Sequence, residues 1–278
     1  MNEPSTGFGY PESAFRVPHC ALATPVVLTI AGSDSGGGAG IQADLKTFHA
    51  LGVFGTTAIT CVTAQNPATV AGVAAIEPAM VALQIRSVCE AFPVAVAKTG
   101  MLFSAAIVDA VVAAVRSAGL ARLVVDPVMI ATSGASLLRS DAVTAVREHL
   151  LPMATVITPN LPEAEALLGE RIADLAAARA AAAELARRYG TACALKGGHL
   201  ESPTVTDLLF CDGRLHEWSS PRLAAAETHG TGCTFAAALT AGLAKGQPLP
   251  EAVERARGFV IHALTHPLQT GLHRPLGV

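Results

Sequence analysis

Thr228-His229-Gly230-Thr231-Gly232-Cys233 sets two glycines around one threonine directly ahead of a helix-forming run, Thr234-Phe235-Ala236-Ala237-Ala238-Leu239. Glycine reaches backbone angles closed to other residues, so such a turn can aim its N–H groups inward. The helix behind it adds unpaired N–H donors and a partial positive charge at its first turn. Together these make an anion site, and phosphate is the anion most often found in one. Thr228, Gly230 and Gly232 are the candidates for gripping it. Cys233 stands at the helix start, where a positive end favours the thiolate. The same residues also suit a plain glycine turn with Cys233 as a small core side chain.

Other residue types fit the same chemistry. Lys196 closes an apolar run and precedes Gly197 and Gly198. A lysine there is buried only with an anionic partner, and a phosphate is one. Asp126 follows Leu123-Val124-Val125 and can steer Mg2+ through water, since that ion takes few carboxylates plus phosphate oxygens. Asn160 and Glu163 have the spacing of a helix capping box. Gln65 offers a donor and an acceptor, which suits a heterocycle edge or a strand-end cap. Gly38-Ala39-Gly40-Ile41-Gln42-Ala43 formally matches a dinucleotide fingerprint. The acid wanted roughly 20 residues on for the ribose is replaced by Gln65 and Asn66, so a dehydrogenase is set aside.

These residues need a scaffold that brings them together. Apolar runs predict strands at 26–30, 56–63, 94–97, 122–126, 155–158 and 192–195. Helical patterns fall at 41–51, 78–91, 104–118, 140–150, from 162, at 172–189, and from 234 and 250. Val205–Cys211 and Arg214–Trp218, joined across Asp212-Gly213, read as a hairpin. Strands alternating with helices predict a mostly parallel sheet covered on both faces, with an antiparallel edge at the hairpin. Chemistry in such a sheet gathers beyond the carboxyl ends of its strands. Those ends read Gly32, Gln65, Lys98-Thr99-Gly100-Met101, Asp126, Asn160 and Lys196.

No repeat or composition break divides the chain, so residues 25–278 read as one domain behind a flexible tail, 1–24, rich in Pro, Gly and Ser. Hydrophobic residues make up 51% of the 278 and charged ones 15%, so much of the chain is buried. A net charge of −3 leaves no basic footprint for nucleic acid. Six cysteines scattered without a C-x-x-C pair suit a reduced, cytoplasmic chain. No apolar run reaches membrane-spanning length.

The glycine turn and its alanine-rich helix resemble the anion-hole motif of hydroxymethylpyrimidine/phosphomethylpyrimidine kinases, thiamine-pathway enzymes of the ribokinase-like superfamily. Four further segments agree in order: Ala31-Gly32-Ser33-Asp34 through Lys46, Ala64-Gln65-Asn66, Ile157-Thr158-Pro159-Asn160-Leu161-Pro162-Glu163, and Leu195-Lys196-Gly197-Gly198-His199. The resemblance spans about residues 25–265. It implies a three-layer α/β/α fold, ATP with Mg2+, and a homodimer. The implied reaction phosphorylates 4-amino-5-hydroxymethyl-2-methylpyrimidine and then its monophosphate.

The resemblance also implies that Gly32, Ala39 and Asp44 line the pyrimidine pocket, that Gln65 recognises the ring, and that Met101 and Val128 wall it. Bare residue chemistry allows Asp44 to be an acid near a helix N-terminus and Met101 to be core packing. Asn160 and Glu163 match the superfamily's Asn-x-x-Glu motif, which helps hold the magnesium–phosphate assembly. Cys233 takes the place of the aspartate base of sugar kinases. A pyridoxal or pyridoxine kinase is the alternative. Relatives specialised for pyridoxal can use a second cysteine in the loop after Asp126-Pro127-Val128-Met129, and Ile130-Ala131-Thr132-Ser133 has none. A nucleotide- or vitamin-sensing protein without turnover would not need Lys196, Cys233 and the Asn160/Glu163 set together.

Overall fold

The computed structural model describes residues 23–129, 140–223, 228–271 and 273–278. The first half runs β1 (Val26–Asp34), α1 (Gly40–Ala50), β2 (Phe54–Gln65), β3 (Val70–Ala75), α2 (Pro78–Ala91), β4 (Val94–Thr99) and α3 (Ala105–Ser117). Then come β5 (Leu123–Val125), α4 (Ser140–Ala145), β6 (Val156–Ile157), α5 (Leu161–Leu168), α6 (Leu175–Tyr189) and β7 (Ala192–Leu195). The hairpin β8 (Thr204–Cys211) and β9 (Arg214–Pro221) precedes α7 (Thr231–Ala244) and α8 (Leu249–Thr265). The expected tail and the loop Ile130–Ser133 lie almost wholly outside the described residues.

All of these strands join one sheet in the order β3-β2-β1-β4-β5-β6-β7-β8-β9. The six central strands, β2-β1-β4-β5-β6-β7, run parallel. Helices α2 to α6 cover one face, where Val81, Ile107, Val111, Leu167 and Leu185 pack on Leu28, Ile30 and Val125. On the other face Phe235, Leu239 and Val253 of α7 and α8 pack on Val96, Val124 and Val156, and Phe48 of α1 packs on Ala237 and Ala241. This is a three-layer α/β/α fold. β1 is buried along nearly its whole length, as a parallel strand between two helical layers must be.

The two sheet edges are antiparallel: the expected hairpin lies on β7, and β3 lies on β2. β3 is not among the strands expected from the sequence. Val70–Ala75 is small-residued and mostly exposed, so it carries no buried face for periodicity to reveal. The expected helix 140–150 is α-helical to Ala145 and then widens into a π turn over Val146–Leu150.

The starts of α5, α6 and α7 are capped differently. Asn160 and Glu163 cap α5 reciprocally, with each side chain bonded to the other's backbone N–H. Asp174 caps α6. α7 begins at Gly230 with no side-chain cap; the Thr231 N–H donates to Thr228 O at 3.2 Å, and the other first-turn N–H donors have no side-chain partner.

Candidate active site

A cavity of about 780 Å³ opens at the carboxyl ends of the strands. At its centre is the start of α7. Gly230 has φ 84°, and a Cβ there would run into the carbonyl oxygen of Gly38. Only glycine lets the turn before α7 touch the glycine loop after β1. At Gly232 a Cβ would come within 3.3 Å of Lys196 Nζ and 3.8 Å of Asp126 Oδ2. Glycine there keeps the space between the helix start and that charged pair open. Thr228 and Cys233 line the same space.

Lys196 leaves β7 with its N–H bonded to Pro159 O at 2.9 Å. Its Nζ lies 2.8 Å from Asp126 Oδ1, which also accepts from Thr158 Oγ1 at 2.9 Å. Burial alone would depress the Lys196 amine; Asp126, Glu163 and Cys233 outweigh it and hold the ammonium above its ordinary value. Glu163 is 4% exposed. Burial pushes its carboxyl up to about 7 against the pull of Lys196, with Asp126 adding to the rise. Its Oε2 accepts from Asn160 N at 2.8 Å, so the capping reading of Asn160-x-x-Glu163 is realised. Both residues also line the cavity.

The donor set suits a hard cation. Asp126 Oδ2 has no hydrogen bond among the described residues, and Asp126 stands close enough to Glu163 to raise the Glu163 carboxyl. No cluster of three or more His, Cys, Asp or Glu side chains could hold a metal alone among those residues. An ion that keeps water and phosphate oxygens as its remaining ligands needs no such cluster.

Gly32, Ala39, Gln65, Met101 and Val128 line the cavity. Met101 is 8% exposed and packs on Cys61. A Cβ at Gly32 would come within 2.8 Å of Cys61 Sγ. Asp44 is different. It has no exposed surface and is absent from the cavity wall; its carboxylate is taken by Lys98 and Thr29. Lys98, noted in the sequence only as part of a strand end, is equally buried but borders the cavity, which Asp44 does not.

Cys233 also departs from expectation. Burial pushes its thiol up to about 11; Lys98 and the Gly40 N–H pull it down, while Asp44 and Asp126 push it up. The helix start does not win, because the thiol lies among protein atoms even though the residue is only half-buried by area.

Two further parts of the site were not singled out in the sequence. His229 bridges Asp34 and Gln65 at the cavity mouth. At the opposite end Val205, Pro221, Leu223, Val260, Ile261 and Leu264 form an apolar recess beside the Arg257–Asp207 pair, 2.7 Å apart. Those side chains come from β8, the end of β9 and the segment just past it, and α8, and no local pattern links them.

The match to known proteins agrees with this geometry. Residues 34–276 fit the phosphomethylpyrimidine kinase family. Hydroxymethylpyrimidine/phosphomethylpyrimidine kinase of Haemophilus influenzae is 50% identical over 249 residues, covering 88% of this chain and 93% of that one. Thiamine biosynthesis bifunctional protein ThiED of Geobacter sulfurreducens is 48% identical over 90% of this chain, which spans 51% of that longer protein. Among solved structures, phosphomethylpyrimidine kinase from Clostridium difficile superposes with TM-score 0.77 at 37% identity, covering 86% of this chain and 99% of that one. The ADP complex of Bacillus subtilis pyridoxal kinase superposes with TM-score 0.83 at 34% identity, covering 91% and 97%. The chain belongs to the phosphomethylpyrimidine kinase family.

Proposed function

We propose that this chain is an ATP-dependent kinase of thiamine biosynthesis. It phosphorylates 4-amino-5-hydroxymethyl-2-methylpyrimidine and then its monophosphate. The observation that carries the reading is the uncapped start of α7 facing the Lys196–Asp126 pair inside one cavity, in a chain half identical to a kinase of that name.

In this reading the pyrimidine lies against Gly32, Ala39, Met101 and Val128, with Gln65 at its edge. Its hydroxymethyl group points at the start of α7. Phosphoryl transfer needs positioning and charge neutralisation more than covalent help from the protein. The N–H groups of Gly230, Gly232 and Cys233 hold the transferring phosphoryl oxygens, where donors fixed in advance contribute most. Thr228 and Lys196 grip the phosphates from either side, and Asn160 with Glu163 orders the strand end beneath them. Asp126 and Glu163 would hold Mg2+, which neutralises phosphate charge when bound. The apolar recess between β8, β9 and α8 takes the nucleotide base. Cys233 is the candidate acceptor of the hydroxyl proton. Its neutral resting state means that Lys98 has to support the thiolate when it forms.

A homodimer is supported by the open β3 edge and by Met80 and Leu83, 50% and 40% exposed on α2. A cytoplasmic setting is supported by the scattered cysteines, five of them unpaired among the described residues. No helix among the described residues is long and apolar enough to cross a membrane. Pyridoxal kinase activity is the second reading, favoured by the superposition on the Bacillus subtilis pyridoxal kinase. ADP release driven by the pyrimidine alcohol in the native chain, and its loss in Lys196→Met, tests the proposal. Release unchanged in the variant would remove Lys196 from the chemistry.

A further inference from the structure

One nitrogen of His229 meets two partners that cannot both be satisfied as they stand. Nε2 lies 3.2 Å from Asp34 Oδ2 and 3.2 Å from the Gln65 amide nitrogen. Asp34 is 3% exposed and accepts backbone N–H bonds from Gly36, Gly38 and Ala39. Burial pushes its carboxyl up, but His229 and the backbone donors outweigh it and keep the group below its ordinary value. An ionised carboxylate only accepts hydrogen bonds. A bare Nε2 lone pair at this distance would face that negative charge, so Nε2 carries a proton.

That proton decides the orientation of Gln65. An amide N–H aimed at a protonated Nε2 would set donor against donor. The two ends of a glutamine amide share one shape and are told apart by their partners. A half turn about the last side-chain bond puts Oε1 against His229 and the NH2 group toward the cavity. The rest of Gln65 is anchored: its N–H donates to Ser35 Oγ at 2.8 Å, and Ser35 Oγ donates to its carbonyl at 2.7 Å. The imidazole is held too, since a Cβ at Gly38 would come within 2.8 Å of its Cδ2.

We propose that His229, kept in its Nε2–H form by Asp34, fixes the Gln65 amide with only its NH2 facing the ligand, so that the site selects heterocycles by an acceptor ring nitrogen. His229 acts through Gln65 and is therefore a positioning residue. The inference rests on the pyrimidine-kinase reading and narrows it. Gln65 presents a donor alone, and the exocyclic amino group of the pyrimidine is not what it reads.

Two measurements test this. Long-range proton–nitrogen NMR on chain labelled with 15N-histidine, with His229 assigned by its loss in His229→Gln, reports which ring nitrogen is protonated. Hydrogen on Nε2 is expected; a neutral ring with hydrogen on Nδ1 and a bare Nε2 would overturn the proposal.

The second compares KM for the parent pyrimidine, an analogue with hydrogen in place of the 4-amino group, and a 3-deaza analogue lacking the adjacent ring nitrogen. Native chain should lose about tenfold or more on the deaza compound and less than about threefold on the deamino compound. His229→Phe, which frees the amide to turn, should collapse that difference. His229→Gln, whose own N–H can replace Nε2–H, should keep it. Equal losses on both analogues, or a native pattern in His229→Phe, would contradict the proposal. Absence of any turnover of the parent pyrimidine would instead sink the kinase reading, and the NMR result would still decide the His229 state.

Discussion

Lys98 and Asp44 form an ion pair with no exposed surface, Nζ standing 2.9 and 2.8 Å from the two carboxylate oxygens. Thr29 Oγ1 donates to the same carboxylate at 2.6 Å. The pair ties α1 to β4 directly under the cavity. Burial pushes the Asp44 carboxyl up and by itself would push the Lys98 amine down. Asp44, Cys233 and Asp126 reverse the second effect and hold the ammonium above its ordinary value. We take the ionised pair as the resting state, because three hydrogen bonds converge on the carboxylate.

Asp44→Asn leaves a buried ammonium without its counter-charge, so it should destabilise the fold by about 3–5 kcal/mol. Urea denaturation measures this. Lys98→Met should act in the same direction, and the double variant should lose less than the sum of the two. A stable Asp44→Asn with a raised pyrimidine KM would return Asp44 to the substrate pocket.

The Asp44–Lys98 pair was not legible in the sequence because of distance along the chain. Lys98 lies 54 positions from Asp44, and His229 lies 195 from Asp34. Strand ends marked by glycine or polar residues were legible, and they led to Lys196, Asp126 and Gln65. The Asn160/Glu163 spacing was legible as a cap and is one. The sign of the Cys233 shift was not, because a helix-end argument sees the nearby dipole and misses the burial. The apolar recess was hidden because three separated elements build it.

Cys233 should react slowly with iodoacetamide at neutral pH. Its rate should climb about tenfold per pH unit and level near a pH of about 11. Mass spectrometry of the alkylated peptide follows it. Fast labelling at pH 7 would restore the low-pKa thiol expected at a helix start.

If the thiolate takes the substrate proton, native kcat should rise between pH 7 and 9, because the thiol is neutral through that range. Cys233→Ser should be about 10²-fold slower and lose the rise. A Ser variant with native kcat would leave the anion hole as the whole catalytic device.

Gln65→Leu removes the polar edge of the ring site. Pyrimidine KM should increase about tenfold or more, in line with an unpaired ring nitrogen, while the KM for ATP stays near native. Steady-state kinetics with each substrate varied in turn separates the two. Equal changes in both would point to a collapsed loop.

Gly230→Ala forces a side chain into a left-handed backbone at a point of contact with the Gly38 carbonyl. The backbone term alone costs about 1–2 kcal/mol, and displacement of the turn should remove turnover. Thermal unfolding with activity measured on the same sample checks it. Full activity would mean that the turn does not hold the phosphoryl group.

Phosphorus NMR of products formed from ATP is the most direct measurement, with the pyrimidine alcohol, its monophosphate and pyridoxal supplied separately. The alcohol should yield a monoester signal followed by a diphosphate, the monophosphate should yield the diphosphate alone, and pyridoxal should yield far less product. Rapid formation of pyridoxal phosphate with neither pyrimidine consumed would contradict the assignment.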